Sequence, residues 1–439
     1  MKRLVMFLVA GILVIPAVGR TQTIGAVTHT STSQFDLLKI DLAGDVCLLN
    51  VFPGDSYSNA NQGEYISSMC QRYSALAGIN TDYFGNDGSP PYSSGPEGMA
   101  YRVGTKYKCD RFRTSMAISA DNRVSIDKGY QSDPICQGTR TDSPGALSYL
   151  YNVLSGGPLI INNGTILNSS NSCDNFSAGT CGSYWNTATR HTAAGISADG
   201  RWLYLLATQP GINVDLNTVA TYLKNQGAYR ALKYDGGGSS QMYFNGGSLS
   251  TGREVVEGLL IIDGTSGRHG ILVGQSMTST PLLLPGQVIQ LSVTYQNDGV
   301  MPWERTTVVS NPSVNPAYVE LRSVDGSGNE LPNPPGMHSS WVSTSRITPA
   351  GAEFVGREGG PNQATFTFTV EAPMAGGTYT LQVAPFCRTG RIAGAGTATF
   401  NINVAFTGPC GTRQIIGCTN PPHPIIPPAT SQPVPNEKK

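Results

Sequence analysis

The C-terminal third of the chain contains apolar residues that alternate strictly with polar ones. Ile289, Leu291, Val293 and Tyr295 occupy every second position of one run. Because successive side chains of a strand point to opposite faces, this spacing predicts strands with one buried face. Three further runs have the same spacing: Phe366/Phe368/Val370, Tyr379/Leu381/Val383 and Phe400/Ile402/Val404. Such strands, separated by turns rich in Pro, Gly and Asn, predict an all-β sandwich over residues 275–406.

The segment from Asn297 to Trp303 indicates which kind of β-sandwich to expect. Its sequence, NDGVMPW, resembles the N-x-G-x-x-x-W turn of immunoglobulin-like modules that are appended to secreted enzymes. The region has few charges, no carboxylate pair and no glycine-rich loop, so we expect it to act as a spacer or as a carbohydrate-contacting module. Exposed Trp303 and Trp341 would stack on sugar faces, and the alternative is that both side chains belong to the core.

The preceding region, residues 24–274, alternates short strand-like runs with turns and two helix-like segments. One predicted helix covers Glu64–Ser74. The other follows Asp215, which is a good N-cap, and stops at Gly227. The predicted fold class is therefore α+β, with a β-rich domain that has a few helices, followed by the all-β sandwich.

Two stretches of this region resemble each other. Residues 113–123, RTSMAISADNR, align with residues 191–201, HTAAGISADGR. In both, an apolar strand runs into Ala-Asp-Asn or Ala-Asp-Gly, which is typical of a tight turn between two paired strands. The similarity predicts two related hairpins in a duplicated core, and the alternative is the ordinary likeness of unrelated hairpins.

The N-terminus has the pattern of a secretory signal peptide. Lys2 and Arg3 precede an apolar run, and small residues end it at Gly19, so we expect cleavage of residues 1–19. A retained membrane anchor is the competing interpretation, but Pro16 interrupts the run. We expect a secreted or periplasmic protein with no transmembrane segment after cleavage. The formal net charge of zero gives no bias toward nucleic acid.

Nine cysteines are available to an oxidising compartment. No CxxC pair is present, so disulfides are expected rather than a zinc site. Cys173/Cys181 and Cys410/Cys418 enclose short polar segments and are the natural local pairs, the second within the Pro-rich tail 407–439. Chain order alone suggests two further pairs, Cys47/Cys70 and Cys109/Cys136. Cys387 would then remain as a buried thiol.

The stretch Tyr234–Gly246, YDGGGSSQMYFNG, is the strongest candidate for a functional loop. A flexible linker is excluded because strand-like runs flank it, Ala231–Tyr234 and Gln241–Phe244, which predict a hairpin-like unit. A Walker-type phosphate loop is excluded because no Lys follows the glycines. Three glycines without Cβ atoms would let backbone N–H groups approach an anion or a sugar, with Asp235 at the strand end.

Five stretches of the chain together resemble the phosphodiester glycosidase family, over residues 24–274. The loop stretch ALKYDGGGSSQMYFNG, residues 231–246, is similar to the family signature ALNLDGGGSSTMVVNG. The other four precede it in the family's order. They are AGINTDYF at 77–84 for AxINGGFF, GGPLIINNG at 156–164 for GGPxLLxxG, HTAAGISADG at 191–200 for RTAIGITADG, and LNTVATYLKNQG at 216–227 for LxELAxLLxxLG.

The resemblance implies hydrolysis of a sugar-1-phosphodiester in a phosphate-linked glycan or polysaccharide. Such a reaction needs a carboxylate near C1 of the sugar, for which Asp235 is suited, and donors that hold the phosphate. Asp82 and His191 are the other candidate catalytic residues. The candidate substrate-binding residues are Asn80, which would hold the hydrogen-bond network, Arg190, Thr192, Gly236, Gly237, Gly238, Ser239 and Ser240.

Two departures from the family pattern affect these expectations. Thr81-Asp82 replaces a glycine pair, and His191 stands where the family has Arg. They motivate the alternative that the chain is a catalytically inactive glycan-binding protein on the same scaffold. Each candidate also has a structural alternative: Asp235 as a turn cap, Ser239 and Ser240 as turn hydroxyls. No cofactor is expected, since no residue set has metal-ligand spacing, although Asp82 and Asp235 together would suit a divalent cation.

Overall fold

The computed structural model describes residues 20–85, 88–108, 113–119, 122–127, 151–174, 178–250, 252–277, 279–304, 318–350, 354–355, 361–387 and 390–405. The predicted signal peptide and Pro-rich tail lie outside these residues. So do the cysteines of the predicted pairs Cys109/Cys136 and Cys410/Cys418. Within the described ranges, no helix combines the length and the apolar character that a membrane span requires.

The N-terminal region consists of antiparallel sheets with few helices. Its strands are β1 Arg20–Ile24, β2 Val27–Ser31, β3 Phe35–Asp41, β4 Val46–Val51, β5 Ala77–Asn80, β6 Ala100–Arg102, β7 Thr105–Lys108, β8 Ser115–Ile118, β9 Val124–Asp127, β10 Asn152–Ser155, β11 Leu159–Asn162, β12 Thr165–Ile166, β13 Thr192–Ser197, β14 Trp202–Thr208, β15 Ala228–Tyr234, β16 Met242–Phe244, β17 Gly247–Ser250 and β18 Gly258–Asp263. Its α-helices are α1 Ile66–Arg72, α2 Ala178–Asn186, α3 Leu216–Asn225 and α4 Gly264–Gly267. Short 3₁₀ turns occur at Pro53–Asp55, Tyr57–Gln62 and Gly237–Ser239.

These strands form three sheets. The eight-stranded sheet has the order β1-β2-β3-β14-β13-β15-β11-β12. The two five-stranded sheets have the orders β7-β6-β10-β8-β9 and β17-β16-β5-β18-β4. One apolar core joins all three, because Leu38, Met116 and Ile79, one from each sheet, belong to the same cluster of buried side chains. This confirms a β-rich domain with few helices.

Both predicted helices are present, with ends within a few residues of the expected ones. Asp215 caps α3, since its side chain accepts a 2.7 Å hydrogen bond from the N–H of Thr218. The buried residues of α3 recur at helical spacing: Leu216, Val219, Ala220 and Leu223. The chain leaves the helix at Gly227, whose φ of +107° is unfavourable for residues with a Cβ.

The two similar stretches do form paired hairpins. β8 pairs with β9, and β13 pairs with β14, each in antiparallel register. They belong to different sheets, the first to a five-stranded sheet and the second to the eight-stranded one.

The predicted hairpin of β15 with β16 is wrong. β15 lies between β13 and β11 in the eight-stranded sheet, whereas β16 lies between β17 and β5 in a five-stranded sheet. Met242 of β16 pairs with Ile79 and not with any residue of β15. The glycine-rich loop therefore carries the chain from one sheet to another.

The predicted bridge between Cys47 and Cys70 is also wrong, since both are free and buried. Each side chain packs as a small apolar residue in the cluster of β4, α1 and β18, together with Leu260. Burial raises the pKa of the Cys47 thiol to about 12, which keeps it protonated. The bridge between Cys173 and Cys181 is confirmed, and Cys387 is buried as expected.

The C-terminal region contains only strands among the described residues. They are β19 Gly270–Gln275, β20 Leu282–Leu283, β21 Val288–Asn297, β22 Trp303–Glu304, β23 Glu320–Ser323, β24 Arg346–Pro349, β25 Phe354–Val355, β26 Gln363–Glu371, β27 Gly377–Cys387, β28 Gly390–Arg391 and β29 Ala398–Val404. One sheet has the order β19-β21-β26. The other has the order β20-β29-β27-β23-β24, with β28 beside β27, and β22 pairs with β25.

The alternating residues of β21 and β26 pack against those of β27 and β29 in one apolar cluster. Trp303 and Trp341 both belong to this core, with exposed fractions of 0% and 8%, so neither is available for sugar stacking. The described fold agrees with two sheets around one core, while the immunoglobulin-like assignment remains a prediction.

The two regions meet in a packed junction. β19 pairs with β21, so the predicted boundary at 274/275 falls inside the first strand of the C-terminal sheet. Met301 belongs to the apolar cluster of the N-terminal region. Beside it, Arg268 donates a 3.1 Å hydrogen bond to the Sγ atom of Cys47. A cut near Gly274 would therefore remove Met301 from the N-terminal core.

Candidate active site

The glycine-rich loop is fixed at both ends by one side chain. Asn80, at the end of β5, donates from Nδ2 to the carbonyl oxygen of Asp235 at 2.8 Å. Its Oδ1 accepts from the N–H of Gln241 at 2.9 Å. Thr192 on β13 donates a second hydrogen bond to the Asp235 carbonyl. Asn80 and Thr192 thus position the loop through the carbonyl of Asp235, as expected for Asn80.

The backbone itself requires two of the three loop glycines, Gly236 for close packing and Gly237 for its positive φ. A Cβ atom on Gly236 would lie 2.6 Å from the carbonyl oxygen of Arg190, and Gly237 has a φ of +57°. The N–H of Gly237 donates to that same carbonyl at 2.9 Å. The N–H groups of Ser239 and Ser240 donate back to the carbonyls of Gly236 and Gly237. These three expected phosphate donors are therefore already used inside the protein.

The carboxyl group of Asp235 lies at the edge of the loop. Its side chain is 15% exposed, and Oδ2 lies 4.0 Å from Nη2 of Arg253. Arg253 also donates from Nε to the Oγ atom of Ser239 at 3.0 Å, and its guanidinium lies over the ring of Phe84. Burial raises the pKa of Asp235, while the Lys233 charge, a hydrogen bond from Ser239 and the Arg253 charge oppose this rise.

Lys233 lies beneath the loop with only 2% of its surface exposed. Its Nζ atom donates to the hydroxyl oxygen of Tyr83 at 2.7 Å and to the carbonyl of Tyr234 at 2.8 Å. The ring of Tyr184, from α2, lies 4.7 Å from Nζ and stacks on Tyr83. Burial lowers the pKa of Lys233 to about 8, opposed by the charge of Asp235.

Asp82 is buried behind this cluster. Its Oδ1 accepts from the N–H of Tyr83 at 2.8 Å, and Oδ2 accepts from the N–H of Gly98. Burial raises the pKa of Asp82 to about 7, against the effect of the nearby Arg113 charge. Since the side chain is 3% exposed, Asp82 supports the site from below and does not present its carboxyl group to solvent.

Glu257, which the sequence interpretation missed, is a second buried carboxyl group. It accepts from Nδ2 of Asn50 and from Oγ1 of Thr81, each at 2.8 Å. Burial and the neighbouring Asp82 raise the pKa of Glu257 to about 8. The carbonyl of Thr81 accepts from the N–H of Asp235 at 2.8 Å. The departure at Thr81-Asp82 therefore links Glu257 to the loop.

His191 lies on the same face of the sheet as Lys233, but its position does not suit a catalytic contact. Its side chain is fully buried, and Nε2 lies 3.0 Å from the carbonyl oxygen of Val214. Burial lowers the pKa of His191 to about 3, so the ring is neutral at physiological pH. The neighbouring Arg190 donates to the carbonyl of Ser240 at 2.7 Å and is partly exposed at the loop.

The structure therefore brings Asn80, Asp82, Arg190, Thr192 and Asp235 together around the loop. It adds Lys233, which lies in the loop stretch without an expected role, and Arg253 and Glu257, which lie outside all five stretches. For Lys233 a signal did exist, because a charged residue at an inward position of a buried strand is unusual. Among the described residues, no group of three His, Cys, Asp or Glu side chains could hold a metal ion.

Comparison with known protein families covers the loop and the residues that hold it. The sequence model of the phosphodiester glycosidase family matches residues 73–262, which include β5, the loop and Glu257. Residues 73–262 are a phosphodiester glycosidase domain. A search of curated proteins found no match.

Three solved structures are similar at low identity. The catalytic domain of zebrafish N-acetylglucosamine-1-phosphodiester alpha-N-acetylglucosaminidase, auto-inhibited by its pro-peptide, is 18% identical with a TM-score of 0.43, over 56% of this chain and 83% of that one. A hypothetical protein from Synechocystis is 13% identical with a TM-score of 0.37, over 55% and 61%. A Burkholderia pseudomallei protein, provisionally classed as exported, is 15% identical with a TM-score of 0.36, over 54% and 74%.

Proposed function

We propose that the chain is an exported hydrolase that cleaves a sugar-1-phosphodiester within a phosphate-linked glycan or exopolysaccharide. The observation that carries the proposal is the partly exposed carboxyl group of Asp235 beside the guanidinium of Arg253. The two groups supply the two requirements of the reaction, a carboxylate for the sugar carbon and a cation for the phosphate. The family of residues 73–262 supplies the reaction class.

In this reaction a water molecule attacks C1 of the sugar, and the bond from C1 to the phosphate oxygen breaks. The electron pair of that bond stays on the phosphate, which leaves as a phosphomonoester. The proton of the attacking water passes to the carboxylate of Asp235. Because phosphate is a good leaving group, the reaction needs less help from a general acid than ordinary glycoside hydrolysis.

Arg253 is placed to hold the phosphate. Its side chain is 34% exposed, so the guanidinium can reach a ligand while Ser239 and the ring of Phe84 keep it in place. A planar guanidinium binds two phosphate oxygens at once, which a single ammonium group does less well. Arg190, on the other side of the loop, is the second cation for this task.

The charge of Lys233 favours the ionised form of Asp235 that a base requires, against the effect of burial. Burial alone would favour the protonated carboxyl group, and the ammonium charge of Lys233 is the largest effect that opposes it. Lys233 itself does not reach solvent, because Tyr83 and Tyr184 cover it. We therefore assign Lys233 a positioning and electrostatic role and not direct contact with the substrate.

Export is supported by the basic and apolar N-terminus and by the bridge between Cys173 and Cys181. Disulfides persist in oxidising compartments and are rare in the cytosol. A phosphate-linked polymer outside the cell membrane is a substrate that such a protein would meet.

Catalytically inactive glycan binding is the second candidate function. The internal hydrogen bonds of the loop N–H groups favour it, because they leave fewer donors for a phosphate in the transition state.

The test is hydrolysis of a panel of small sugar-1-phosphodiesters by the mature full chain, with and without a chelator. We expect release of phosphomonoester, and Asp235→Asn should reduce the rate by about 10²–10⁴-fold with unchanged thermal unfolding. Asp199→Asn, on an exposed turn, is the matched control. Retained activity in Asp235→Asn would remove this carboxylate from the mechanism. No turnover by the wild-type protein on any member of the panel would favour glycan binding.

A further inference from the structure

A cavity of about 660 Å³ lies at the opposite end of β16 from the Asp235 loop. One wall is the first three strands, with Gln22, His29 and Asp36, and the other is the turn between β16 and β17, with Phe244 and Asn245. We call it the β1–β3 trough. Its volume is within the range of about 300–1,000 Å³ that ligand sites occupy. None of the groups assigned to hydrolysis lines it.

The floor of the trough is a fixed polar pair against an aromatic ring. Nε2 of His29 and Oδ1 of Asp36 are hydrogen-bonded at 2.9 Å, and the two residues are 8% and 2% exposed. The His29 ring lies 5.2 Å from the ring of Phe244, measured between centroids. Buried polar groups that are held in one orientation give a ligand site its directional contacts.

The rim carries groups that both donate and accept hydrogen bonds. The side-chain amides of Gln22, Gln209 and Asn245 lie there, and Gln209 donates to the hydroxyl of Ser31 at 2.7 Å. Amides and hydroxyls match the hydroxyl groups of a sugar, which also donate and accept. The lining contains one Arg and one Asp, Arg20 and Asp36, whose formal charges cancel, so the lining favours a neutral ligand over a phosphate.

The trough lies within reach of the Asp235 loop. β16 starts directly after the loop and ends at Phe244 in the trough, and its three residues span roughly 10 Å. A second connection runs through β14, because the N–H of Thr208 donates to the carbonyl of His191 at 2.9 Å. Gln209, the next residue, lines the trough. Both connections place the trough about one short strand away from the loop.

We propose that the β1–β3 trough binds a neutral oligosaccharide segment through the amides of Gln209, Gln22 and Asn245. Identification of that segment as part of the polymer cleaved at Asp235 rests on the proposed function, whereas saccharide binding in the trough does not. The trough would hold the sugars next to the cleaved phosphodiester and give the chain its preference for a polymer.

The experiment measures retention of the full chain on an array of neutral, phosphate-free oligosaccharides of hexoses, N-acetylhexosamines and deoxyhexoses. Titration calorimetry follows for any oligosaccharide retained. The trough variant combines Gln209→Ala with Asn245→Gly, since Asn245 has a φ of +48° that glycine tolerates. The matched control combines Gln226→Ala with Asn333→Gly, because Asn333 has a φ of +54° and both residues are exposed outside the trough.

We expect at least one oligosaccharide to bind the wild-type and control proteins. The trough variant should bind it about tenfold more weakly, the loss expected for two ordinary hydrogen bonds. Equal affinities of the trough variant and the wild-type protein, or no retention on any neutral oligosaccharide, would overturn the proposal. Because the probes contain no phosphodiester, a failure here is distinct from a failure to hydrolyse sugar phosphates.

Discussion

The N-terminal and C-terminal regions each bury carboxyl groups, but they compensate the charge in different ways. Glu320, on β23 of the C-terminal region, is 1% exposed and accepts hydrogen bonds from the guanidinium groups of Arg322 and Arg346. Asp82 and Glu257 of the N-terminal region are buried as deeply, yet backbone N–H groups and neutral side chains hold them. Removing one partner of a buried ion pair is strongly destabilising, whereas a buried carboxyl group with a strongly shifted pKa is typical of a functional site.

The pKa values show the consequence of this difference. Burial raises the pKa of Asp82 and Glu257 into the neutral range because no cation is bonded to either group. The charge of Asp82 also raises the pKa of Glu257, so added charge is costly in this region. The charge of Lys233 opposes the rise that burial causes in the pKa of Asp235. The N-terminal region thus holds three carboxyl groups whose pKa burial raises, Asp82, Asp235 and Glu257, an arrangement the C-terminal region lacks among its described residues.

The largest expected effect is on catalysis, and it distinguishes Arg253, beside Asp235, from Arg322, which binds Glu320. Arg253→Ala should reduce kcat/KM on a small sugar-1-phosphodiester by about 10²–10³-fold, since it removes the cation nearest to Asp235. Its thermal unfolding should change little because the side chain is partly exposed. Arg322→Ala is the crossed control, with unchanged kcat/KM and lower thermal stability. If Arg253→Ala lost stability and kept its activity, Arg253 would have the same structural role as Arg322 and no role in catalysis.

The second expected effect is a dependence of folding stability on pH that comes from the buried carboxyl groups of the N-terminal region. The pKa of Asp82 rises from 3.8 in its unperturbed form to about 7 in the folded protein, and that of Glu257 from 4.5 to about 8. The folded state therefore binds these protons more tightly than the unfolded state does. Their contribution to stability is complete below about pH 4 and is lost as the pH rises to about 8, on the order of a few kcal/mol.

Asp82→Asn should reduce this loss, so the variant gains stability relative to the wild-type protein as the pH rises. Urea unfolding at about pH 5 and about pH 8.5 measures the difference. Asp199→Asn on the exposed turn should show no such trend. A constant difference between Asp82→Asn and the wild-type protein at both pH values would contradict a raised pKa.

A smaller effect should come from Asn80, whose side chain bonds to both ends of the glycine-rich loop. Asn80→Ala removes hydrogen bonds to Asp235 and Gln241 and leaves a buried N–H and a buried carbonyl with fewer partners. We expect a loss of about 1–3 kcal/mol in the free energy of unfolding. We expect kcat to fall while KM changes little, because the loop still binds the substrate but holds Asp235 less firmly in position. Asn80→Asp keeps the acceptor for Gln241 but turns a buried carboxylate oxygen toward the Asp235 carbonyl, so it should lose at least as much stability as Asn80→Ala. Unchanged stability in Asn80→Ala would exclude this role of Asn80.

Features that depend on nearby residues could be predicted from the sequence. The cap at Asp215 and the stop at Gly227 define α3 locally, and the alternation in β21 and β26 directly predicts their buried face. The bridge between Cys173 and Cys181 joins residues only 8 apart. Signals of this kind are complete within a short window, so no knowledge of the fold is needed to interpret them.

The errors concern contacts between distant residues. The loop after Tyr234 looked like a hairpin turn because the partner of β16 is β5, far back in the chain. Glu257 could not be recognised, since Asn50 and Thr81, which hold it, are distant in sequence. The motif position of His191 suggests a catalytic residue, but only the fold shows that its ring faces the carbonyl of Val214.

The contrast between matched and unmatched carboxyl groups is the central claim, and one measurement tests it most directly. The free energy of unfolding is compared for Glu257→Gln and Glu320→Gln at about pH 8.5. Glu257→Gln should be as stable as the wild-type protein or more stable, because Gln is neutral and can still bond to Asn50 and Thr81. Glu320→Gln should lose about 3–5 kcal/mol, since two guanidinium groups lose their buried counter-charge. Equal losses in both variants would contradict the account.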